Sequence, residues 1–301
     1  MTACTIENDP VHIIGASGRS GAELCRALLA AGAACIPLVR SRAKWEATSI
    51  GAAPRFADIA DTAALRAALA DARLIVSTAH ARYAPLILEA APVSARFIFL
   101  GSTRKFTRWP DEHARGVLAG EAAFVASRRS GVMLHPTMIY GAQGEDNVQR
   151  LAALMRRLPF IPLPGGGKAL VQPIHQSDVT RAIAAALAIA WIGPNSVTIA
   201  GPVPLPYADL VRAVAKAAGL HPPRIVPLPG APLMGAAALT RLLPVIPTVH
   251  PAEIRRLLED KTFDIEPMRR TLGIEPMPLR EGLARTFHPE PTETSDQITT
   301  S

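Results

Sequence analysis

The stretch VHIIGASGRSGAELCRALLAAG, residues 11–32, decides the fold. Four apolar residues predict a buried strand, and apolar residues at helical spacing follow in the second half. Between them, Gly15, Gly18 and Gly21 are spaced as GxxGxxG. One glycine permits a tight turn, one lets a pyrophosphate approach the backbone, and one allows close packing of helix against strand. The helix N-terminus offers free N–H groups to the phosphates, so the unit predicts a dinucleotide-binding loop.

The alternation of strand and helix continues to about residue 135. Further strands are predicted at 35–39, 54–59, 73–79, 96–102 and 131–135, with a helix over 112–129 before the last of them. Continuous apolar strands separated by helices indicate a parallel sheet with both faces covered. Right-handed crossovers then make it an α/β, doubly wound Rossmann sheet.

After about residue 141, strands and helices no longer alternate regularly in the sequence. We predict helices near 145–157, 177–190, 207–218, 231–243 and 251–259, and a strand at 196–200. The domain prediction has three parts. A dinucleotide-binding Rossmann domain covers 1–140, with segments returning from the C-terminal half. A smaller substrate-side α/β region covers 141–287, and a polar, disordered tail covers 288–301.

Composition and charge narrow the class of protein. A chain of 301 residues with 49% hydrophobic content has globular values. The net charge of +7 is spread along the chain with no Lys/Arg run of five or more, which argues against nucleic-acid binding. Cys4, Cys25 and Cys35 match neither a zinc site nor CxxC, so we predict free thiols and no metal. The N-terminus lacks a signal peptide and no apolar stretch is long enough to span a bilayer, so we expect a cytoplasmic protein without membrane insertion.

The residues after the second strand bear on the choice of dinucleotide. An acid there accepts hydrogen bonds from the ribose of NAD, whereas an arginine suits the 2′-phosphate of NADP. This sequence has Arg40 at that position and Arg19 in the glycine loop. The pattern favours NADP over NAD, with solvated surface arginines as the alternative. Asp58, after the third strand, either meets the adenine amino group or caps a helix, and Asp61 is a predicted N-cap.

Four motifs carry a family resemblance. They are GASGRSG (15–21), IVSTAH (75–80), HPTMIYG (135–141) and VQPIHQSDVTRAI (171–183). With them, the chain resembles the short-chain dehydrogenase/reductase superfamily over about residues 11–285. It looks most similar to the extended and atypical branches, which include nucleotide-sugar epimerase-like proteins and the accessory reductase-like subunit of respiratory complex I.

The resemblance implies roles for particular residues. Those that would line the dinucleotide are Gly15, Ser17, Gly18, Arg19, Arg40, Asp58, Ala79 and Pro136. Ser102 falls where the family places its catalytic Ser/Thr. Asn147, Gln172 and His175 would face a small-molecule substrate. The resemblance also implies a homodimer or a place in a larger complex.

The sequence departs from the family at its catalytic dyad, a tyrosine followed four residues later by a lysine. None of Tyr83, Tyr140 and Tyr207 has a lysine at that distance. Laid on the family's helix, the tyrosine position falls near His113 and the lysine position near Val117. The usual mechanism, in which the phenol exchanges a proton with the substrate oxygen, therefore lacks its groups.

Three substitutes for the dyad are candidates. His113 and His80 have the pKa range for proton transfer, and Lys105 with Arg104 could bind a phosphate or polarise a carbonyl. Each has a plainer interpretation. His113 would be solvated at a helix start, His80 would cap the next helix, and Lys105 with Arg104 would form a surface turn. His135, before Pro136, is interpreted as a structural residue at a strand end.

Two functions of different classes follow. The first is an NADP-dependent oxidoreductase or epimerase-like enzyme acting on a small carbonyl or a nucleotide-linked sugar. In it, Ser102 orients the substrate oxygen, and His113 or His80 handles the proton. The second is a non-catalytic NADPH-binding protein that serves as a sensor, an assembly factor or a structural subunit.

Overall fold

A computed structural model describes residues 9–141, 147–158, 160–230 and 251–288. Its first six strands are β1 (Val11–Ile14), β2 (Cys35–Val39), β3 (Arg55–Phe56), β4 (Leu74–Ser77), β5 (Arg96–Leu100) and β6 (Gly131–Pro136). Seven further strands follow among the described residues: β7 (Ile139–Tyr140), β8 (Phe160–Pro164), β9 (Leu170–Val171), β10 (Ile174–His175), β11 (Pro194–Ile199), β12 (Leu205–Pro206) and β13 (Arg224–Leu228).

The central sheet has seven parallel strands in the order β3-β2-β1-β4-β5-β6-β11. The chain winds outward from β1 in one direction to β3 and in the other to β11, which is the doubly wound arrangement. The predicted fold class is confirmed. The strand predicted at 196–200 is β11, and it pairs with β6 in the register Val197 to Leu134.

Helices cover both faces of this sheet, and others pack beside it. The α-helices of the described residues are α1 (Arg19–Ala30), α2 (Arg42–Glu46), α3 (Thr62–Ala68), α4 (Ala84–Ala90), α5 (Glu112–Ser127), α6 (Val148–Arg157), α7 (Gln176–Leu187), α8 (Tyr207–Ala217), α9 (Pro251–Arg256), α10 (Glu266–Leu272) and α11 (Leu279–Phe287). One core packs α1, α7 and α10 on the sheet, and the other packs α3, α4 and α5. Burial of these two apolar layers is the main force that holds the sheet between its helices.

A third core lies beside the sheet and joins α6, α8, α11 and β8. Apart from Tyr140, its buried residues fall within the region 141–287, whose status as a separate domain stays a prediction. The sequence pattern missed α10, although its signals are present. A proline stands in the first turn, and Gly273 follows the last turn with a left-handed φ of 65°.

Some predictions lie outside the described residues. They are the helix at 231–243, the start of the helix at 145–157, and the tail at 288–301 except its first residue. Within the described part of the chain, no helix combines the length and the apolar character needed to cross a bilayer.

Candidate cofactor and substrate site

The glycine loop between β1 and α1 has the geometry that the pattern predicts. Gly15 has a φ of 81°, a conformation that a side chain would strain. The Gly18 N–H donates to the Gly15 carbonyl at 2.9 Å, which closes the turn. A Cβ at Gly21 would lie 2.4 Å from the Gly15 carbonyl oxygen, so only glycine lets α1 approach β1 this closely.

The loop presents backbone donors at the start of α1. Gly18 is the N-cap residue, and no side chain caps the first turn. Helix N-termini without a capping side chain keep N–H groups for an anion. The Thr78 hydroxyl, after β4, donates to the carbonyl of Ile14 or Gly15 at 3.1 and 3.2 Å, and so fastens the loop to the neighbouring strand. The loop therefore has the geometry that a bound phosphate requires, and it lies at the carboxyl edge of the sheet.

Arg40 lies on the same edge, directly after β2. Its side chain is 75% exposed, and its guanidinium lies 3.7 Å from the Asp58 carboxylate. Asp58 accepts a hydrogen bond from the Ala60 N–H, while Asp61 accepts from the first turn of α3. The predicted N-cap at Asp61 is confirmed, and the helix-cap interpretation of Asp58 is wrong because Asp61 has that position. The adenine contact of Asp58 stays a prediction.

The ends of β4, β5 and β6 bring the next group of predicted residues to this edge. Ala79 lies beside the glycine loop, since its backbone nitrogen would be 3.1 Å from a Cβ at Gly15. The Ser102 hydroxyl accepts from the Arg104 N–H at 3.2 Å. The Pro136 carbonyl accepts from the Thr103 hydroxyl at 3.1 Å. The Ser102 oxygen is the acceptor in this bond, so its O–H is still able to donate to another group.

His80 and His113 meet at the start of α5. Their ring centroids are 4.2 Å apart and nearly perpendicular. His80 Nδ1 accepts from the Arg82 N–H at 3.0 Å, so the capping interpretation of His80 is confirmed for the short 3₁₀ turn 81–83. The proton of His80 is then on Nε2, which is buried without a partner among the described residues. His113 is half-buried, so its interpretation as a solvated residue is wrong.

The two imidazoles are neutral at physiological pH. Burial lowers the pKa of His113 to about 4, with the Arg104 guanidinium and His80 acting in the same direction. Burial also lowers the pKa of His80, and Arg82 contributes. A neutral imidazole can accept a proton or donate a hydrogen bond, but it does not supply the proton of an imidazolium.

Two glycines of α5 explain how the helix comes so close to His80. A Cβ at Gly116 would lie 2.8 Å from His80 Cε1, and a Cβ at Gly120 would lie 2.0 Å from the Ala81 carbonyl oxygen. Val117, at the family's lysine position, is buried in the apolar core of α3, α4 and α5. The helix therefore offers no ammonium group where the family has one.

Lys105 lies close to this site and is part of a buried ion pair. Its Nζ is 2.6 and 2.7 Å from the two carboxylate oxygens of Glu121, and its side chain is 11% exposed. The surface-turn interpretation of Lys105 is therefore wrong. Arg104 pairs with Asp111 at the N-cap of α5 and is partly buried.

His135 is the third member of a cluster that it forms with Lys105 and Glu121. Its Nδ1 accepts from the Ser102 N–H at 3.2 Å, so Nε2 donates to Glu121 at 3.1 Å. Burial lowers the pKa of His135 to about 4, with Lys105 acting in the same direction. The predicted structural role of His135 is confirmed. Through this histidine, the cluster supports the backbone of Ser102.

A cavity of about 940 Å³ opens beside these residues. Its polar end is lined by Ser102, Thr103, Arg104 and Thr137, and the Thr137 hydroxyl is buried without a partner among the described residues. Mainly apolar side chains of α6, β8 and α8 line the remainder, together with Arg108, Asn147, Arg150 and several residues within 254–263. Ligand sites commonly have this size and this mixture of apolar walls and few polar groups.

Of the three residues expected to face a substrate, only Asn147 lines this cavity. The Gln172 amide bonds to the carbonyls of Gly201 and Phe263 and to the Phe263 N–H. His175 Nδ1 accepts from the Ser177 N–H at the start of α7. Gln172 and His175 are thus buried between elements rather than in the cavity wall. Sequence reasoning missed Thr137 and the 254–263 segment. Thr137 could have been predicted from the sequence, since it follows β6 in the motif HPTMIYG (135–141).

Comparison with solved structures places this geometry in a known fold. Triphenylmethane reductase from Citrobacter sp., complexed with NADP(H), superposes with a TM-score of 0.73 at 15% identity, covering 92% of this chain and 99% of that one. UDP-glucuronic acid 4-epimerase from Bacillus cereus, in complex with UDP-glucuronic acid and NAD, gives 0.71 at 17% identity, covering 92% and 98%.

The chain has the fold of these reductases and epimerases. The fold that the family resemblance implies is therefore confirmed. No protein-family model matches the sequence, and no curated protein matches it significantly. At identities this low the likeness concerns the fold, and the activity has to be argued from the site.

Proposed function

We propose that the protein is an NADP(H)-dependent oxidoreductase acting on a small carbonyl compound. One observation carries the proposal. The phosphate-binding loop after β1 and the polar end of the cavity, after β5 and β6, lie at the same carboxyl edge of one sheet. In doubly wound folds this edge is where a dinucleotide and its substrate meet. The two solved structures of like fold are complexes with NADP(H) or NAD by their own description.

The preference for NADP rests on charge at the end of β2. Arg40 is exposed beside the loop, and Arg19 begins α1. Two cations therefore lie near the place where a 2′-phosphate would bind. The acid that would accept hydrogen bonds from an NAD ribose is absent from position 40. A guanidinium at this place binds a phosphate through charge-assisted hydrogen bonds.

Calorimetric titration with NADPH and NADH tests the cofactor. We expect micromolar binding of NADPH, weakened about tenfold or more in Arg40→Ala, with NADH binding little changed. Arg73→Ala is the matched control, since Arg73 is 73% exposed and 3.5 Å from the carboxylate of Asp9, but stands before β4 at the opposite edge. Equal affinity for both nucleotides, or an equal loss in both variants, would reject the NADP assignment.

The residues around the cavity have defined tasks in the proposed reaction. The nicotinamide, when bound, supplies or takes up the hydride. The Ser102 O–H orients the substrate oxygen, and the Arg104 guanidinium, which lines the cavity nearby, stabilises negative charge that develops on it. His113, which is not among the described residues that line the cavity but lies close enough to Arg104 to feel its charge, is neutral at pH 7 and would accept a proton from an alcohol, so oxidation is the direction that its state suits. An epimerase would use the same step and return the hydride to the same carbon.

The alternative function, an NADPH-binding protein without catalysis, also has a specific observation in its favour. Val117 fills the lysine position with a core side chain, and a His113 pKa of about 4 makes a weak base. Transfer of deuterium from labelled NADPH to a panel of aldehydes and ketones separates the two. Stereospecific transfer eliminates the non-catalytic function. Tight binding of NADPH with no transfer to any member eliminates the oxidoreductase.

A further inference from the structure

The cavity is mainly apolar away from its polar end. Leu151 and Leu154 of α6 line it, and both side chains are only partly buried by the core that joins α6, α8, α11 and β8. Leu210 of α8 and Phe263 line the same space. Walls of this kind leave apolar surface in contact with water, and an apolar ligand would remove that surface from water.

Four of the cations in the cavity wall have partners within the protein. Arg104 pairs with Asp111, whose carboxylate also lies 3.5 Å from the Arg256 guanidinium. The Lys261 Nζ donates to the Arg256 carbonyl at 2.7 Å. Arg256 and Arg150 have further interactions within the protein. These four cations therefore do not need an anionic ligand as their partner.

The carboxylates of the wall and the fifth cation are paired as well. Glu259 is buried, and its two oxygens accept from the Thr107 hydroxyl and the Arg108 N–H, each at 2.7 Å. The Arg108 side chain is 73% exposed and lies 3.9 Å from the same carboxylate. Asp260 accepts from the Leu170 N–H at 2.8 Å. A charged group on a ligand would have to compete with these bonds, which lowers what it gains by binding.

Two hydroxyl groups at the polar end can bond an oxygen of a ligand. The Ser102 O–H is able to donate, and the Thr137 hydroxyl is buried without a partner among the described residues. A carbonyl oxygen has two lone pairs and suits such donors. A nucleotide-linked sugar would instead bring many hydroxyl and phosphate oxygens against leucine side chains that cannot bond them, which is costly. The cavity wall therefore favours a ligand with one oxygen and a hydrocarbon body.

We propose that the substrate is a neutral ketone or aldehyde, or the corresponding alcohol, with its oxygen at Ser102 and Thr137 and its hydrocarbon chain or ring along α6, β8 and α8. In reduction, the carbonyl carbon accepts a hydride from NADPH and the oxygen accepts a proton; oxidation of the alcohol by NADP⁺ reverses both transfers. The inference rests on the proposed function for this reaction, but not for binding of the apolar body.

Binding without turnover tests the inference independently of the chemistry. Pentan-2-one, heptan-2-one and nonan-2-one are titrated calorimetrically into the protein, with and without excess NADP⁺. We expect the dissociation constant to fall about two- to fourfold for each added methylene group. Octanoate carries the same heptyl chain as nonan-2-one on a carboxylate, and it should bind more weakly. An affinity that does not depend on chain length, or tighter binding of octanoate than of nonan-2-one, would overturn the inference.

Deuterium transfer from labelled NADPH to the same three ketones reports separately on the proposed function. Binding that strengthens with chain length but leads to no transfer supports the apolar site and counts against the oxidoreductase. Transfer with a kcat/KM that does not depend on chain length supports the oxidoreductase and rejects the apolar substrate.

Variants locate the hydrocarbon chain. Leu154→Gln keeps the length of the side chain but replaces apolar surface with an amide, so it should weaken binding of nonan-2-one about fivefold or more and leave NADPH binding unchanged. Leu154→Ala serves if the Gln variant unfolds, and it should weaken binding about threefold. Leu88→Gln is the matched control, because Leu88 is also a partly buried helical leucine but packs on the core of α3, α4 and α5. Equal losses in Leu154→Gln and Leu88→Gln would refute the assignment to this cavity.

Discussion

Removing the buried Lys105 ammonium should destabilise the protein far more than any surface charge does. In Lys105→Met the Glu121 carboxylate keeps its bonds from His135 at 3.1 Å and Ser196 at 2.8 Å, but loses two charged bonds of 2.6 and 2.7 Å. Its side chain is only 17% exposed, so water replaces the ammonium poorly. Breaking a buried pair on one side costs about 3–5 kcal/mol, and partial exposure places this pair near 3 kcal/mol.

A double-mutant cycle measures the interaction itself. Glu121→Gln alone should cost about 3 kcal/mol as well, because it leaves the ammonium unpaired. The double variant Lys105→Met/Glu121→Gln should cost about 3 kcal/mol rather than about 6, which gives a coupling of about 3 kcal/mol. The free energies come from urea unfolding followed by circular dichroism.

An exposed pair on the same face of the sheet provides the control cycle. Arg66 and Glu89 are 3.5 Å apart with side chains 58% and 62% exposed, so their coupling should be at most about 0.5 kcal/mol. Additivity of the Lys105 and Glu121 changes to within about 0.5 kcal/mol would show that the pair is hydrated, and the reasoning from burial would fail.

Two further predictions concern the glycine loop and the histidines. Gly21→Ala should abolish NADPH binding in calorimetry, because its Cβ would lie 2.4 Å from a loop carbonyl, whereas Gly51→Ala, with open space around it, should bind normally. Thermal stability should fall as the pH falls from about 6.5 to 4. In that window the unfolded chain binds protons at His113 and His135 while the folded state, with both pKa values near 4, does not. A melting temperature that is flat over this window, or a slope that His113→Gln leaves unchanged, would contradict the second prediction.

The glycine loop could be predicted from the sequence because its physics is local. A buried strand, a turn with a positive φ and a closely packed helix lie within one short stretch, and each constrains its neighbour. Gly15 and Gly21 have the conformation and the packing that their spacing indicates. The same holds for Asp61, whose side chain reaches N–H groups only two and three residues away.

The orientation of Lys105 could not be predicted in this way. Residues 102–105 are polar and cationic, which is typical of a surface turn, and the partner that draws Lys105 inward stands sixteen residues later. One signal was nevertheless present. Glu121 lies on the helix face of Val117 and Phe124, both buried, and a carboxylate on a buried face requires a cation. Pairing that carboxylate with the right cation still needs the tertiary structure.

The packing of α5 gives a physical reason for the absence of the family's catalytic dyad. In α5, Gly116 and Gly120 bring the helix against His80 and Ala81, Val117 belongs to the core, and Glu121 holds Lys105. The inner face of the helix is therefore occupied by packing and by one ion pair, and only its first turn reaches the carboxyl edge of the sheet.

Apart from His113 in that first turn, any catalytic group must then come from the loops that follow the strands. Ser102, Arg104 and Thr137 line the cavity from that edge, and Lys261 faces them from the segment after α9. Among these side chains, none supplies a proton as readily as a phenol beside an ammonium does. A slow oxidoreductase and an NADPH-binding protein without turnover would both use this arrangement. Transfer of deuterium from labelled NADPH to an aldehyde or a ketone is the observation that separates them.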